Sequence, residues 1–173
     1  MSGIAYDLTK IKGIAFDMDG VLSASTVAVR EDGTLQRHSN VKDGYAIQYA
    51  IRRGLKLAVI SGARDESMLP AYRSLGITDV YFHCADKVVT LREWMNAHGL
   101  SADEVAYVGD DIPDLPVMER VGLPVTPADG ADEVKAVALY ISPFAGGCGV
   151  ARDVISQVLR ARGQWLLPDA FGW

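Results

Sequence analysis

The sequence predicts an α/β protein with a doubly wound parallel sheet and a β-hairpin insertion near the amino end. Three observations predict it. Short, wholly apolar runs alternate with stretches of helical periodicity; two of those runs end in clustered acids; and an Asp-Gly turn joins two extended segments. The first run, Ile11-Lys12-Gly13-Ile14-Ala15-Phe16, reads as a buried parallel strand leading into Asp17-Met18-Asp19-Gly20-Val21. Thr26 to Arg30 and Leu35 to His38 flank Glu31-Asp32-Gly33-Thr34, giving a hairpin over about residues 25–38. A helix is expected from Asp43, with Ile47 and Ile51 on one face and Gly54 as its stop. Leu55 to Ile60 is the next core strand and ends in Ser61-Gly62. A helix through Met68, Leu69 and Tyr72 closes near Leu75-Gly76, and Val80-Tyr81-Phe82 forms a short strand before a helix from Val88 to Ala97. Glu104 to Val108 is a second strand that delivers acids, in Gly109-Asp110-Asp111-Ile112-Pro113-Asp114. A helix with Leu115 and Met118, a strand near Leu123-Pro124-Val125, a helix over Val134 to Ala138, a strand at Leu139 to Ile141 and a helix from Val150 to Ala161 complete the pattern.

In an open α/β sheet the carboxyl ends of the strands carry the ligand site. Two strands bringing acids to that end place three or four carboxylates in one small volume, where their repulsion is tolerable only beside a cation. The chain therefore reads as built around a divalent metal. Isolated, Asp-Gly and Ser-Gly are ordinary turns and a single lysine is a solvated charge; the ordered set lifts them above that.

At 173 residues and 49% hydrophobic, the chain has enough material for one core, and a single domain over 1–173 is expected. Its net charge of −5, without a basic run, argues against a nucleic-acid partner. A small anionic substrate remains compatible, because a metal and a local cation reverse the field inside a cleft. The amino terminus lacks the features of a signal peptide and no stretch has the length of a membrane span, so a cytoplasmic location without membrane partners is expected. Two distant cysteines, Cys84 and Cys148, give no disulfide or zinc framework. His38, His83 and His98 read as structural or surface residues, and Trp94 and Met95 as core. The tail over about 163–173 is aromatic and apolar, so it is expected to pack against something.

Four motifs in order resemble those of the haloacid dehalogenase superfamily of phosphotransferases: Asp17 to Ser23, Ser61-Gly62, Lys87, and Gly109 to Asp114. The resemblance covers residues 11 to 155 and implies that superfamily's Rossmannoid sheet. More narrowly, the chain is similar to the capless 3-deoxy-D-manno-octulosonate (KDO) 8-phosphate phosphatase family, through Asn40-Val41-Lys42-Asp43-Gly44-Tyr45, Val105 to Asp111, Pro116-Val117-Met118-Glu119 and Gly146-Gly147-Cys148-Gly149. The hairpin stands where larger relatives carry a cap domain.

The resemblance implies an Mg²⁺-dependent phosphomonoester hydrolase acting on a 2-keto-3-deoxy sugar acid phosphate, first of all KDO 8-phosphate, which it would convert to KDO and phosphate. Asp17 is then the nucleophile, since a carboxylate both attacks phosphorus and leaves again. Asp19 is the general acid and then the general base. Asp17, the Asp19 backbone carbonyl and Asp110 are the implied metal ligands, an all-oxygen set that suits Mg²⁺. Asp111 and Asp114 orient the metal's waters and Lys87, and Lys87 neutralises charge on Asp17 and the phosphoryl group. Ser61 and Gly62 bind phosphate. Asn40, Lys42, Asp43 and Gly44 are the candidate sugar contacts, with Arg64 able to pair with a sugar carboxylate.

The sequence departs from the family pattern at Ser23, often threonine, and at Ala63 and Cys148, often arginine. Fewer arginines imply altered handling of the substrate carboxylate. A nonulosonate such as deaminated neuraminic acid (KDN) 9-phosphate is therefore an alternative substrate, and a noncatalytic phosphatase-like oligomerisation module is an alternative of another class. Relatives of this kind are tetramers built through the hairpins, which predicts a homotetramer here, with the tail at an interface or near an adjacent site.

Overall fold

The computed structural model describes residues 3–171. Six parallel strands form the central sheet: β1 (Gly13–Phe16), β4 (Lys56–Ile60), β5 (Asp79–Tyr81), β6 (Val105–Val108), β7 (Leu123–Thr126) and β8 (Tyr140–Ile141). Their order across the sheet is β5-β4-β1-β6-β7-β8. The chain starts at the centre, winds outward through β4 and β5, then crosses to β6 on the other side of β1 and winds outward again. That reversal leaves a crevice beyond the carboxyl ends of β1 and β6. Every residue of β1, β6 and β7 is buried, as expected for parallel strands covered on both faces.

Helices α1 (Val41–Arg52), α2 (Leu69–Ser74) and α6 (Val150–Ala161) contribute to the core on one face, through Ile47, Tyr49, Tyr72, Val154 and Val158 among others. Helices α3 (Lys87–His98), α4 (Leu115–Met118) and α5 (Asp132–Val137) build the other, around Leu91, Trp94, Val117, Met118 and Val134. Trp94 thus takes the core place expected of it. Strands β2 (Ala28–Val29) and β3 (Leu35–Gln36) pair antiparallel as the expected hairpin. Both residues of β2 are exposed.

The helix starts follow from capping. Asn40 accepts from the Lys42 and Asp43 amides at the head of α1, and Asp86 accepts from Val88 and Val89 at the head of α3. Gly99, in the left-handed region, closes α3. The tail folds back on α1 and α6 of the same chain. Trp165 meets Tyr49 edge-on at 5.5 Å and lies beneath the guanidinium groups of Arg152 and Arg160. The Leu167 amide donates to the Tyr49 hydroxyl, the Tyr45 hydroxyl donates to the Ala170 carbonyl, and Arg53 pairs with Asp169. The expectation that the tail packs is met for these residues; Trp173 lies outside the described residues. Among the described residues no helix is long and apolar enough to cross a membrane.

Candidate active site

The crevice is an open cleft of about 380 Å³ lined by Asp17, Asp19, Ser61, Gly62, Lys87, Asp110, Asp111 and Asp114, together with Ser25, Ala63, Cys84, Ala85 and Pro113. Asp17 continues β1: its amide donates to the Val108 carbonyl of β6, so the sheet itself aims the carboxylate. Its Oδ1 accepts from the Met18 amide at 2.7 Å, leaving Oδ2 toward Lys87 at 2.9 Å. Lys87 is the first residue of α3, and the Asp86 cap sets where its buried side chain enters the cleft.

Asp114 organises the floor. Its Oδ1 accepts from Lys87 at 2.7 Å and from the Tyr107 hydroxyl at 2.8 Å. Its Oδ2 accepts from the amides of Asp110 and Asp111. Gly109 is required for this approach, because a Cβ there would lie 2.5 Å from the Asp114 Cβ. Asp111 is exposed and caps the short 3-10 turn Ile112–Asp114, accepting from the Ile112 amide at 2.8 Å. The phosphate-loop candidates are held equally firmly. Ser61 is buried, its amide donates to Tyr81, its carbonyl accepts from Cys84, and its Oγ accepts from the Ala63 amide.

Among the described residues, Asp17, Asp110 and Asp114 can bring one carboxylate oxygen each within 4.8 Å of one another. Burial, then repulsion from Asp114, drives the Asp17 carboxyl up to about 7 despite Lys87. Burial, then Asp17 and Asp114, drives Asp110 up to about 7 as well. Burial alone would lower the Lys87 ammonium, but Asp17 and Asp114 outweigh it and hold it above its ordinary value. One lysine does not balance these acids, so the donor set fits a hard divalent cation. The degree of engagement separates these acids: four protein donors, two on each oxygen, saturate Asp114, whereas Asp17 accepts one on each oxygen and lines the cleft beside Asp110. Gly20 adapts the loop after β1 to the same purpose. Its φ of +81° is a left-handed conformation, and a Cβ there would lie 1.8 Å from Asp110 Oδ2.

The substrate contacts expected around residue 40 stand outside the lining of this cleft. Asn40 is consumed by its cap and by a bond from its Nδ2 to the Gly147 carbonyl. Asp43 is buried and accepts from the Arg152 amide at the start of α6; burial pushes its carboxyl above the ordinary range. Gly44 is buried where a Cβ would meet Leu75 at 3.2 Å. These residues lock α1 to α6 and to α2, and Lys42 is left exposed on the surface. Arg64 is exposed and lines an adjoining hollow with Gly62, His83, Cys84 and Ala85.

Sequence reasoning missed two residues. Tyr107 sits in an apolar strand and reads as core. Arg37 lies just past β3, at the end of the hairpin, yet its Nε and Nη2 meet Asp19 Oδ1 and Oδ2 at 2.7 and 2.9 Å, and its Nη1 meets Asp65 at 2.7 Å.

A haloacid dehalogenase-like hydrolase family profile matches residues 77–153. The KDO 8-phosphate phosphatase of Escherichia coli K12 is 35% identical over 162 residues, covering 94% of this chain and 85% of that protein. The crystal structure of the Yersinia pestis KDO 8-phosphate phosphatase superposes with a TM-score of 0.88 at 33% identity, covering 91% of this chain and 85% of the other. That of the Moraxella catarrhalis enzyme, in complex with magnesium, phosphate and KDO, gives 0.88 at 30% identity, with 95% and 93% covered. With the acids of β1 and β6, the buried lysine and the Ser-Gly loop all converging on one cleft, the chain belongs to the haloacid dehalogenase-like hydrolases, in the KDO 8-phosphate phosphatase family.

Proposed function

We propose that the protein is an Mg²⁺-dependent phosphomonoester hydrolase that converts KDO 8-phosphate to KDO and inorganic phosphate through an aspartyl-phosphate on Asp17. The observation that carries this reading is the complete acidic constellation around Lys87, in a chain aligned over nearly its whole length with enzymes of that name.

Ser61 Oγ and the Gly62 amide hold the phosphoryl group against Asp17, and Lys87 offsets the charge that accumulates between them. An Asp17 oxygen attacks phosphorus; the ester P–O bond breaks, and Asp19 gives a proton to the departing sugar oxygen. Asp19 then takes a proton from water as it attacks phosphorus, and the P–O bond to Asp17 breaks. Bound through the Asp17 and Asp110 carboxylates and the Asp19 carbonyl, Mg²⁺ would neutralise phosphoryl charge. An open cleft without a cap admits the water that makes this a hydrolase rather than a transferase.

The finer parts of the reading are a cytoplasmic location and a homotetramer joined through the hairpins. The exposed β2 strand supports the latter, with Val29 69% exposed on a ribbon too short to stand alone. A monomer in sedimentation at micromolar concentration would remove the tetramer.

The test is phosphate release from KDO 8-phosphate, KDN 9-phosphate, N-acetylneuraminate 9-phosphate and hexose phosphates, with Mg²⁺ or EDTA, beside Asp17→Asn. Metal-dependent preference for KDO 8-phosphate, lost in the variant, is the expected result. Preference for KDN 9-phosphate would reassign the sugar, consistent with Ala63 in the cleft wall at a position where the family pattern often has arginine. No release from any substrate would point to a noncatalytic module or to a substrate outside this panel.

A further inference from the structure

Arg37 connects three loops that meet at the cleft. It follows β3 at the end of the hairpin, grips Asp19 in the nucleophile loop, and reaches Asp65 just beyond the Ser61-Gly62 loop. Its side chain is 1% exposed, while that of Asp19 is 36% exposed toward the cleft. Asp65 is itself anchored: Oδ1 accepts from the Ser67 amide at 2.9 Å and Oδ2 from the Ser67 hydroxyl at 3.0 Å. The guanidinium is therefore fixed at its far side before it meets Asp19. A two-point fork is also directional, because both carboxylate oxygens must lie in the guanidinium plane.

We infer that Arg37 is a positioning residue for the reaction: it sets the plane and rotamer of the Asp19 carboxyl from which the proton is delivered and later collected. This rests on the proposed role of Asp19. The fork takes one lone pair on each Asp19 oxygen and leaves the other, so an oxygen stays available to the sugar oxygen and then to water. The proton passes from Asp19 to the departing alkoxide as the ester P–O bond breaks. An equal proton returns from water as the P–O bond to Asp17 breaks, which leaves Asp19 unchanged overall. Exposed side chains in solvent rarely hold one orientation unaided; here the hairpin supplies the restraint, so hairpin geometry and turnover are linked through one residue.

Leaving-group chemistry separates this role from a structural one. A sugar alkoxide needs the proton, whereas 4-nitrophenolate leaves without it, and only the water step then depends on Asp19. Arg37→Ala is expected to lower kcat on the best sugar phosphate about a hundredfold with little change in KM. With 4-nitrophenyl phosphate it should give a burst of one nitrophenolate per site, followed by slow turnover, with acid-stable phosphoenzyme trapped on quenching. Arg37→Lys, which keeps the charge but not the fork, should recover part of the rate. Asp65→Asn, which loosens only the outer anchor, should fall between wild type and Arg37→Ala, and provides the reading if Arg37→Ala does not fold. Turnover of Arg37→Ala within twofold of wild type, or an equal loss on both esters with no burst, overturns the inference if Asp19→Asn is itself inactive. A fully active Asp19→Asn overturns the assignment of Asp19 along with it.

Discussion

Lys87 Nζ lies 2.9 Å from Asp17 Oδ2, a buried ion pair in which the proposed nucleophile and its neutralising cation are held in contact before any substrate arrives. Asp114 shares the same ammonium at 2.7 Å, so the cation is the hub of the acidic floor.

Replacing Lys87 by methionine should therefore affect stability as well as rate. Removing one partner of a buried pair leaves uncompensated charge, at about 3 kcal/mol or more. We expect that loss in urea unfolding with EDTA, a smaller one with Mg²⁺, and a fall in kcat of at least about a hundredfold. Unchanged unfolding in EDTA would show that Lys87 does not balance these acids.

The carboxyls of Asp17 and Asp110, driven up to about 7, return to about 4 in the unfolded chain. Between those values the native protein binds more protons than the unfolded one. Without metal, stability should thus fall as pH rises from about 4 through 7 and level off above. Because a cation binds the deprotonated acids, stabilisation by Mg²⁺ should grow over the same range, to about 2.7 kcal/mol at a hundredfold excess over Kd. Melting temperatures in EDTA and in Mg²⁺ between pH 5 and 8 test both trends; an EDTA curve that rises over this interval would contradict the first.

Gly20→Ala should act chiefly on the metal. The added Cβ would fall 1.8 Å from Asp110 Oδ2 at a φ of +81°. The strain amounts to about 1–2 kcal/mol, and Asp110 must turn aside. Calorimetric titration should show Mg²⁺ affinity weakened by more than tenfold, and an affinity equal to wild type would remove Asp110 as a ligand.

Trp165→Ala should lower stability by about 2 kcal/mol, through lost contact with Tyr49 and with the Arg152 and Arg160 guanidiniums. The contacts lie on the α1 and α6 face, away from the cleft lining, so kcat should be unchanged. A fall in kcat in a protein that remains folded would tie the tail to a cleft.

The strands were legible because parallel, doubly covered strands read as continuous apolar runs, and β1 and β6 announced themselves by the acids after them. Asp17, Asp110, Ser61 and Lys87 were found through ordered motifs, each meaningless alone. Arg37 carried no such signal: it sits in a polar segment after a two-residue strand, and its partners Asp19 and Asp65 lie far from it in sequence and meet it only in the fold. Tyr107 was hidden because its ring satisfies the strand pattern while its hydroxyl serves Asp114. The helix-locking bond of Asp43 was hidden for a related reason. Its position in the first turn of α1 is plain, but the amide it accepts belongs to α6, and only the packing of those helices brings the two together.

Asp17 and Asp110 come from opposite ends of a long stretch of chain, joined by the register that sets Gly13 beside Val105 and Phe16 beside Val108. Pairing so non-local is expected to form late, because the entropy of closing the intervening loop is lost before the contacts repay it. Until β1 and β6 pair, Asp17 and Asp110 are not held together. Recovery of activity after dilution from denaturant should follow the slowest refolding phase, making turnover a clock for completion of the native topology.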